Sequence, residues 1–376
     1  MRLMASRLSR KTTSPISSTE KVLSCKVPFS ALVLSLFFLP SITGCIGRPI
    51  GDASQPVTSS TGGAALTPGE TLYVLQPEVS LFFPGTPSYL LEYPKGSGGN
   101  PHPAAAITGP VGIDFIPVAV NPAGTAFISA IGAGYPQILV YPAGASGTAA
   151  PAQSWMSPES MFCLDSSGRM YFTGPNSVQV YDSNQLAAGP LRTIRTPTTS
   201  DRGPTSFSNP RSIVADASGN AYVLNQSTLN NDDAVLIFAA SANGTVAPNS
   251  FIAGPTTKLT RAQSIALDQH GNIYVGADDS SGFAGMILVF APGSSGDTAP
   301  IRTITGPNTS LGFIADLKIA ADGTLYVNAT SPTDRKTHIL TFPADANGDA
   351  HPLTDLYPAA PAVQSVVVDF GSMAVL

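Results

Sequence analysis

Apolar residues in this chain come in short runs, each closed by a turn, and the runs recur. The stretch "SIALDQHGNIYV" at 264–275 shows the unit: an apolar run, an Asp, a glycine turn, then a second apolar run carrying a Tyr. Its relatives are "SIVADASGNAYV" at 212–223, "SMFCLDSSGRMYF" at 160–172, "VAVNPAGTAFI" at 118–128 and "LKIAADGTLYV" at 317–327, with a degraded copy, "LTPGETLYV", at 66–74. The aromatic landmark falls at Tyr73, Phe127, Tyr171, Tyr222, Tyr274 and Tyr326, so the period is near 50 residues. Short runs that are apolar throughout predict strands buried on both faces. The Asp bonds turn amides, and the Gly supplies positive φ.

A second motif follows each copy: "YLLEYPKGSGGN" from Tyr89, "ILVYPAGASGT" from Ile138, "VQVYDSNQLAAG" from Val178, "VLIFAASANGT" from Val235, "ILVFAPGSSGD" from Ile287 and "ILTFPADANGD" from Ile339. Each reads as a third strand, a Pro/Gly/Ser/Asn turn and a short fourth strand. A unit of four short strands cannot bury its own faces, so neighbouring units must stack, and a period of about 40–50 residues predicts a β-propeller. The expected fold is all-β: a six-bladed β-propeller of four-stranded antiparallel blades over 66–376. The first unit lacks a good first strand, whereas "QSVVVD" near the C-terminus is a first strand without a unit. The C-terminal strand is therefore expected to complete the first blade.

These units resemble NHL-type repeats and the wider group of bacterial six-bladed propellers, on the strength of "SIVADASGNAYV" and "SIALDQHGNIYV" followed by "VLIFAASANG" and "ILVFAPGSSG". The resemblance covers roughly 66–376 and implies a fold, not an activity, because such propellers serve as binding scaffolds, sensors and enzymes alike.

Composition agrees with a turn-rich β protein: 11% charged residues, 43% hydrophobic residues, 35 Gly and 34 Pro. Charge is concentrated at one end. Residues 1–44 hold Arg2, Arg7, Arg10, Lys11, Lys21 and Lys26 against Glu20 alone, leaving 13 basic and 23 acidic residues of the 19 and 24 in the chain. An acidic body without a basic cluster argues against nucleic acid as a partner.

The basic start precedes the uncharged stretch "VPFSALVLSLFFLPSITGC". Its apolar centre, Ala31 to Leu39, has the length of a signal-peptide core rather than of a membrane span. Ile42-Thr43-Gly44-Cys45 resembles the bacterial lipobox, which implies cleavage before Cys45 and a diacylglycerol on its thiol. An ordinary signal peptide and an uncleaved anchor are the alternatives. Residues 1–44 are thus expected to be a lipoprotein signal, and 45–65, rich in Gly, Ser, Thr and Pro, a flexible tether. The protein would be exported and held at a membrane, periplasmic or on the cell surface. Once processed at Cys45 the chain keeps one other cysteine, Cys163, so no internal disulfide forms. Cys163 sits in an apolar run and reads as a buried small hydrophobe.

Chemistry is sparse. The Asp closing each first strand (Asp165, Asp216, Asp268, Asp369, with Asn121 and Ala320 as replacements) reads as a turn cap rather than a cation ring. Asp232–Asp233 and Asp278–Asp279 read as solvated acidic loop pairs, with calcium binding as the alternative, although no D-x-D-x-D-G ladder is present. His102, His270, His338 and His351 lack metal spacing. Six-bladed lactonases of the gluconolactonase type hold a central divalent ion with Glu, Asn and Asp, and Glu159, Asn209 and Asp316 are the residues of those types near first strands. Contact candidates at the rim are Trp155, Glu159, Arg211 and Gln263, with Tyr135, Phe283 and Phe313 on loops. The expected role is a non-enzymatic binding module with a protein or glycan partner of the cell envelope. A metal-dependent hydrolase or lactonase is the second reading, and a structural surface protein the third.

Overall fold

The computed structural model describes residues 71–76, 87–111, 113–132, 136–159, 161–197, 205–226, 233–279, 284–357 and 373–375. The expected signal, lipidation site Cys45 and tether lie outside these residues.

Among the described residues the strands form six sheets of the expected kind. Blade 1 holds β1 (Thr71–Gln76), β2 (Pro87–Pro94) and β3 (Ala105–Val111); blade 2 holds β4 (Asp114–Val120), β5 (Ala126–Ile131), β6 (Gln137–Tyr141) and β7 (Gln153–Met156). Blade 3 follows with β8 (Met161–Leu164), β9 (Arg169–Gly174), β10 (Ser177–Asp182) and β11 (Arg192–Arg195). Blade 4 is built from β12 (Pro210–Ala215), β13 (Ala221–Asn225), β14 (Ala234–Phe238) and, after the two-residue β15 (Gly244–Thr245), β16 (Ser250–Ile252). β17 (Ser264–Leu267), β18 (Ile273–Asp278), β19 (Gly285–Phe290) and β20 (Arg302–Ile304) make blade 5; β21 (Ile314–Ile319), β22 (Leu325–Thr330), β23 (Thr337–Phe342) and β24 (Thr354–Leu356) make blade 6. Finally β25 (Met373–Val375) pairs antiparallel with β1 as the innermost strand of blade 1, Leu72 opposite Val375 and Val74 opposite Met373. The first blade is therefore completed from the C-terminal end, as expected. The segment that does so is Met373–Val375; "QSVVVD", expected in that role, lies outside the described residues. The tail offers two apolar runs separated by Phe370-Gly371-Ser372, and periodicity alone does not choose between them.

The middle strands are buried on both faces, as their unbroken apolar runs require: every residue of β1, β18 and β23 is buried. Six hydrophobic clusters occupy the six seams between neighbouring blades. Between blades 5 and 6, for example, Ile287, Val289 and Ile304 pack against Leu317, Leu325, Val327, Leu340 and Phe342. Between blades 6 and 1, Tyr326 and Ile339 meet Leu72, Val74 and Tyr93. Phe238, Phe290 and Phe342, the aromatic ends of the third strands, are wholly buried, each worth about 1.5–3 kcal/mol of transfer free energy.

Turn chemistry follows the sequence. Asp268 Oδ1 accepts the His270 and Asn272 N–H groups, both at 2.9 Å, over Gly271 at φ +81°. Asp216, Asp165 and Asn121 close their turns in the same way. In blade 6, where Ala320 takes the position, Asp322 accepts from Thr324 instead. These side chains are turn caps; Asp369 lies outside the described residues.

The glycine-rich turn before each fourth strand does more than reverse the chain. Its glycine reaches sideways to the fourth strand of the preceding blade: Gly296 N–H donates to Phe251 O at 2.7 Å and Gly296 O accepts Ala253 N–H at 3.1 Å. Gly147 on blade 1, Gly244 on blade 3, Gly348 on blade 5 and Gly99 on blade 6 make the same parallel bridge. All five sit at positive φ, between +62° and +75°. At the remaining seam, between blades 2 and 3, the turn is a short 3-10 helix, Leu186–Ala188, whose Leu186 is buried in the seam cluster.

In every antiparallel four-stranded blade, the starts of the first strands and the links from second to third strands lie at one end. That end is the entry face of the propeller.

Candidate functional site

The innermost strands of five blades, β4, β8, β12, β17 and β21, line a cavity of about 240 Å³ on the central axis. Its walls are mostly Val118, Ala119, Val120, Leu164, Val214, Ala266, Leu267 and Ile319, with Ser212, Gln263, Ser264 and Asp316 toward the entry face. An innermost strand has a partner strand on its outer side and a neighbouring blade on each face, so whatever it exposes is exposed to the channel.

Among the described residues, one charge pair lies in this lining. Lys318 Nζ stands 2.6 Å from Asp316 Oδ1 and also donates to Leu317 O at 3.1 Å. Asp316 Oδ1 accepts Ser264 Oγ–H from blade 5 at 3.2 Å, while Ser264 Oγ accepts Leu317 N–H at 2.9 Å. Cys163 lines the same cavity; burial, reinforced by Asp165, pushes its thiol up to about 12, against the opposing field of Lys318. It is a neutral, unreactive thiol at neutral pH, in keeping with its reading as a small hydrophobe.

The structure separates the four rim candidates. Only Gln263 lines the cavity; its amide donates to Arg261 O at 3.2 Å. Arg211 is exposed on the entry face, its guanidinium donating to Gln226 Oε1 at 2.8 Å. Trp155 is half-buried on β7, packed against the cluster of Phe127, Ile138, Val140 and Phe162. Glu159 lies against Gly174, where a Cβ would overlap its carboxylate, and burial raises its pKa. Phe313 is 38% exposed; Tyr135 and Phe283 lie outside the described residues.

Glu159, Asn209 and Asp316 do not form one ligand set. Glu159 occupies the space beside Gly174, Asn209 Nδ2 donates to Gln226 Oε1 at 3.3 Å, and Asp316 is committed to Lys318 and Ser264. Among the described residues no three His, Cys, Asp or Glu side chains gather in a way that holds a metal ion. The acidic pairs read as solvated loops are corrected in part. Asp233 is buried and accepts Ala262 N–H at 2.7 Å; Asp278 is buried and faces Arg261 Nε at 3.8 Å. Asp278 ends strand β18 rather than standing in a loop, so its side chain follows the strand into the seam. Asp232 lies outside the described residues. His338 sits between Asp355 Oδ1 at 2.6 Å and Asp334 Oδ2 at 3.3 Å.

Sequence reasoning missed Lys318. The signal was present: at that position the other described innermost strands carry Ala119, Cys163, Val214 and Ala266, and a lone Lys among small apolar residues marks a channel-facing group.

Fold and cavity together define a six-bladed β-propeller protein. No family model matches the chain, and no curated protein matches it. Solved structures do resemble it. A protein of unknown function from Bacteroides caccae aligns with TM-score 0.49 at 15% identity, over 81% of this chain and 98% of that one. The hydrazine synthase of Kuenenia stuttgartiensis aligns with TM-score 0.43 at 11% identity, over 67% of each chain. XC5397 from Xanthomonas campestris, a gluconolactonase, aligns with TM-score 0.40 at 9% identity, over 73% and 83%. At these values the fold rests on this chain's own blade topology.

Proposed function

We propose that this is an exported, NHL-like propeller, lipid-anchored through Cys45 on the 45–65 tether, that acts as a non-enzymatic binding module for a protein or glycan of the cell envelope. The observation that supports it is the entry face. Met156 is 65% exposed there, with Phe313, Met161 and Arg211 also exposed. Met, Phe and Arg are the residue types enriched in interfaces, and carboxylates are depleted from interface centres. A photo-crosslinking residue at 156 or 313, in intact cells of the source organism, is expected to give a discrete adduct. The same residue at 301, on the opposite face, is expected to give none. Adducts from all three sites, or from none, overturn the reading. Its anchoring part is tested by palmitate labelling, which Cys45→Ala is expected to abolish; labelling unchanged in that variant overturns it.

A further inference from the structure

The innermost strand of blade 6 departs from its neighbours in a way that packing does not require. Asp316 and Lys318 occupy positions filled by Pro117 and Ala119, Met161 and Cys163, Ser212 and Val214, and Ser264 and Ala266 in the other four lining strands. Burying Asp316 beside Lys318 costs desolvation that the pair's own attraction seldom recovers. Asp316 has a structural task, because with Ser264 it ties blade 5 to blade 6. Lys318 pairs with Asp316 and Leu317 of its own strand and does not itself bond blade 5. Its side chain is 34% exposed, and that exposure is to the channel. An ammonium has three N–H donors; two go to Asp316 Oδ1 and Leu317 O, which leaves one for a group in the cavity that Lys318 lines.

The net charge of the lining decides the ligand. Among the described lining residues Cys163 is held neutral by burial, and Lys318 and Asp316 cancel. An anionic ligand would leave the channel with one uncompensated negative charge beside Asp316, and a cation would meet Lys318. A neutral molecule with one strong oxygen acceptor leaves the balance at zero and takes the third N–H. The cavity, at about 240 Å³, lies below the roughly 300–1,000 Å³ of drug-sized sites. We propose that the central channel binds a small neutral carbonyl compound, a ketone or amide with a short aliphatic body, its oxygen accepting from Lys318 Nζ and its body resting on Val120, Leu164, Val214 and Leu267.

This inference does not rest on the entry-face reading: that reading is tested by crosslinks at 156 and 313, this one by signals from inside the channel. Full-length protein with labelled Ile, Leu and Val methyl groups is titrated with 2-hexanone, hexanamide and hexanoate. Saturable shifts of the Leu164 and Val214 methyls with 2-hexanone or hexanamide are expected, with hexanoate binding at least tenfold more weakly. Lys318→Met is expected to weaken 2-hexanone by roughly ten- to a hundredfold, the loss of a hydrogen bond to a charged group. Asp316→Asn leaves Lys318 uncompensated and is expected to reverse the order, so that hexanoate becomes the tighter ligand. Three outcomes overturn the proposal: no saturable shift in the unaltered protein up to about 10 mM, tenfold above a weak millimolar Kd; hexanoate tighter than 2-hexanone in the unaltered protein; or equal affinity of a folded Lys318→Met protein for 2-hexanone. The first two need no variant and stand even where a variant fails to fold.

Discussion

Asp278 shows what one side chain's surroundings do to the stability of the whole ring. Its carboxylate is fully buried at the seam of blades 5 and 6, and burial raises its pKa to about 6, with Asp279 adding to the rise and the Ile314 N–H and Arg261 opposing it. The exposed Arg261, 3.8 Å away, is a weak partner. The sign follows from linkage. Between the ordinary carboxylate value and about pH 6 the folded chain holds a proton that the unfolded chain has released, so stability falls as pH rises through that window and levels off above it. At 1.36 kcal/mol per unit the whole effect is about 2–3 kcal/mol. Asp278→Asn removes the titration, and thermal unfolding from pH 4 to 8 should show a flatter profile than the native protein. Parallel profiles would mean that Asp278 is not the source. Ser310 offers a second test at this scale. It ends the Pro307–Thr309 turn at φ +58°, a conformation that costs a non-Gly residue roughly 1–2 kcal/mol. Ser310→Gly is expected to raise the unfolding free energy by about 0.5–1 kcal/mol, the strain relieved less the entropy Gly brings to the unfolded chain; urea unfolding checks it.

At the scale of the element, the turn glycines separate two kinds of constraint. Gly348 sits at φ +63° with open space around a would-be Cβ, whereas Gly254 sits at φ +126°, where a Cβ would overlap Asp297. Asp297 accepts Thr256 N–H at 2.7 Å and so caps the Pro255–Thr257 turn of the preceding blade link. Gly348→Ala therefore carries only the conformational penalty, about 1 kcal/mol. Gly254→Ala adds the overlap, loses the cap and should cost about 3 kcal/mol or more. Equal losses in urea unfolding would contradict this account. Blade number, the order of strands and the Asp turn caps were legible in the sequence because each is a local pattern repeated at one period. The sideways bridges were not, since a glycine that turns the chain and a glycine that also bonds the next blade look alike in one dimension. Asp278 misled for a related reason: two adjacent Asp residues suggest a loop, yet the first still belongs to the strand. Lys318 was not legible because it lies mid-strand in an apolar run, away from the strand ends where carboxylates and histidines cluster.

For the whole molecule the question is how the ring is held shut, since blade 1 takes β1, β2 and β3 from one end of the described chain and β25 from the other. Closure is made at two radii. Near the axis, β25 pairs with β1; at the perimeter, Gly99 N–H donates to Asp355 O at 2.7 Å and Tyr357 N–H donates to Gly99 O at 2.9 Å. Between them the seam is filled by Leu72, Val74, Tyr93, Tyr326 and Ile339. Either clasp alone still confines the two blades to contact, so breaking one costs only its own bonds, about 1–3 kcal/mol. Breaking both lets the seam open and expose that cluster, a loss neither lesion causes by itself. Proline at both 373 and 374 breaks the inner clasp, because N–H groups alternate sides along a strand and one of the two must face β1. Gly99→Val breaks the outer one, placing a β-branched residue at φ +73°. The combined variant is expected to lose at least 1 kcal/mol more than the sum of the separate losses. Urea midpoints of the four proteins give the coupling directly, and losses that add within about 0.5 kcal/mol would show that the hydrophobic seam, not the pair of clasps, holds the propeller closed.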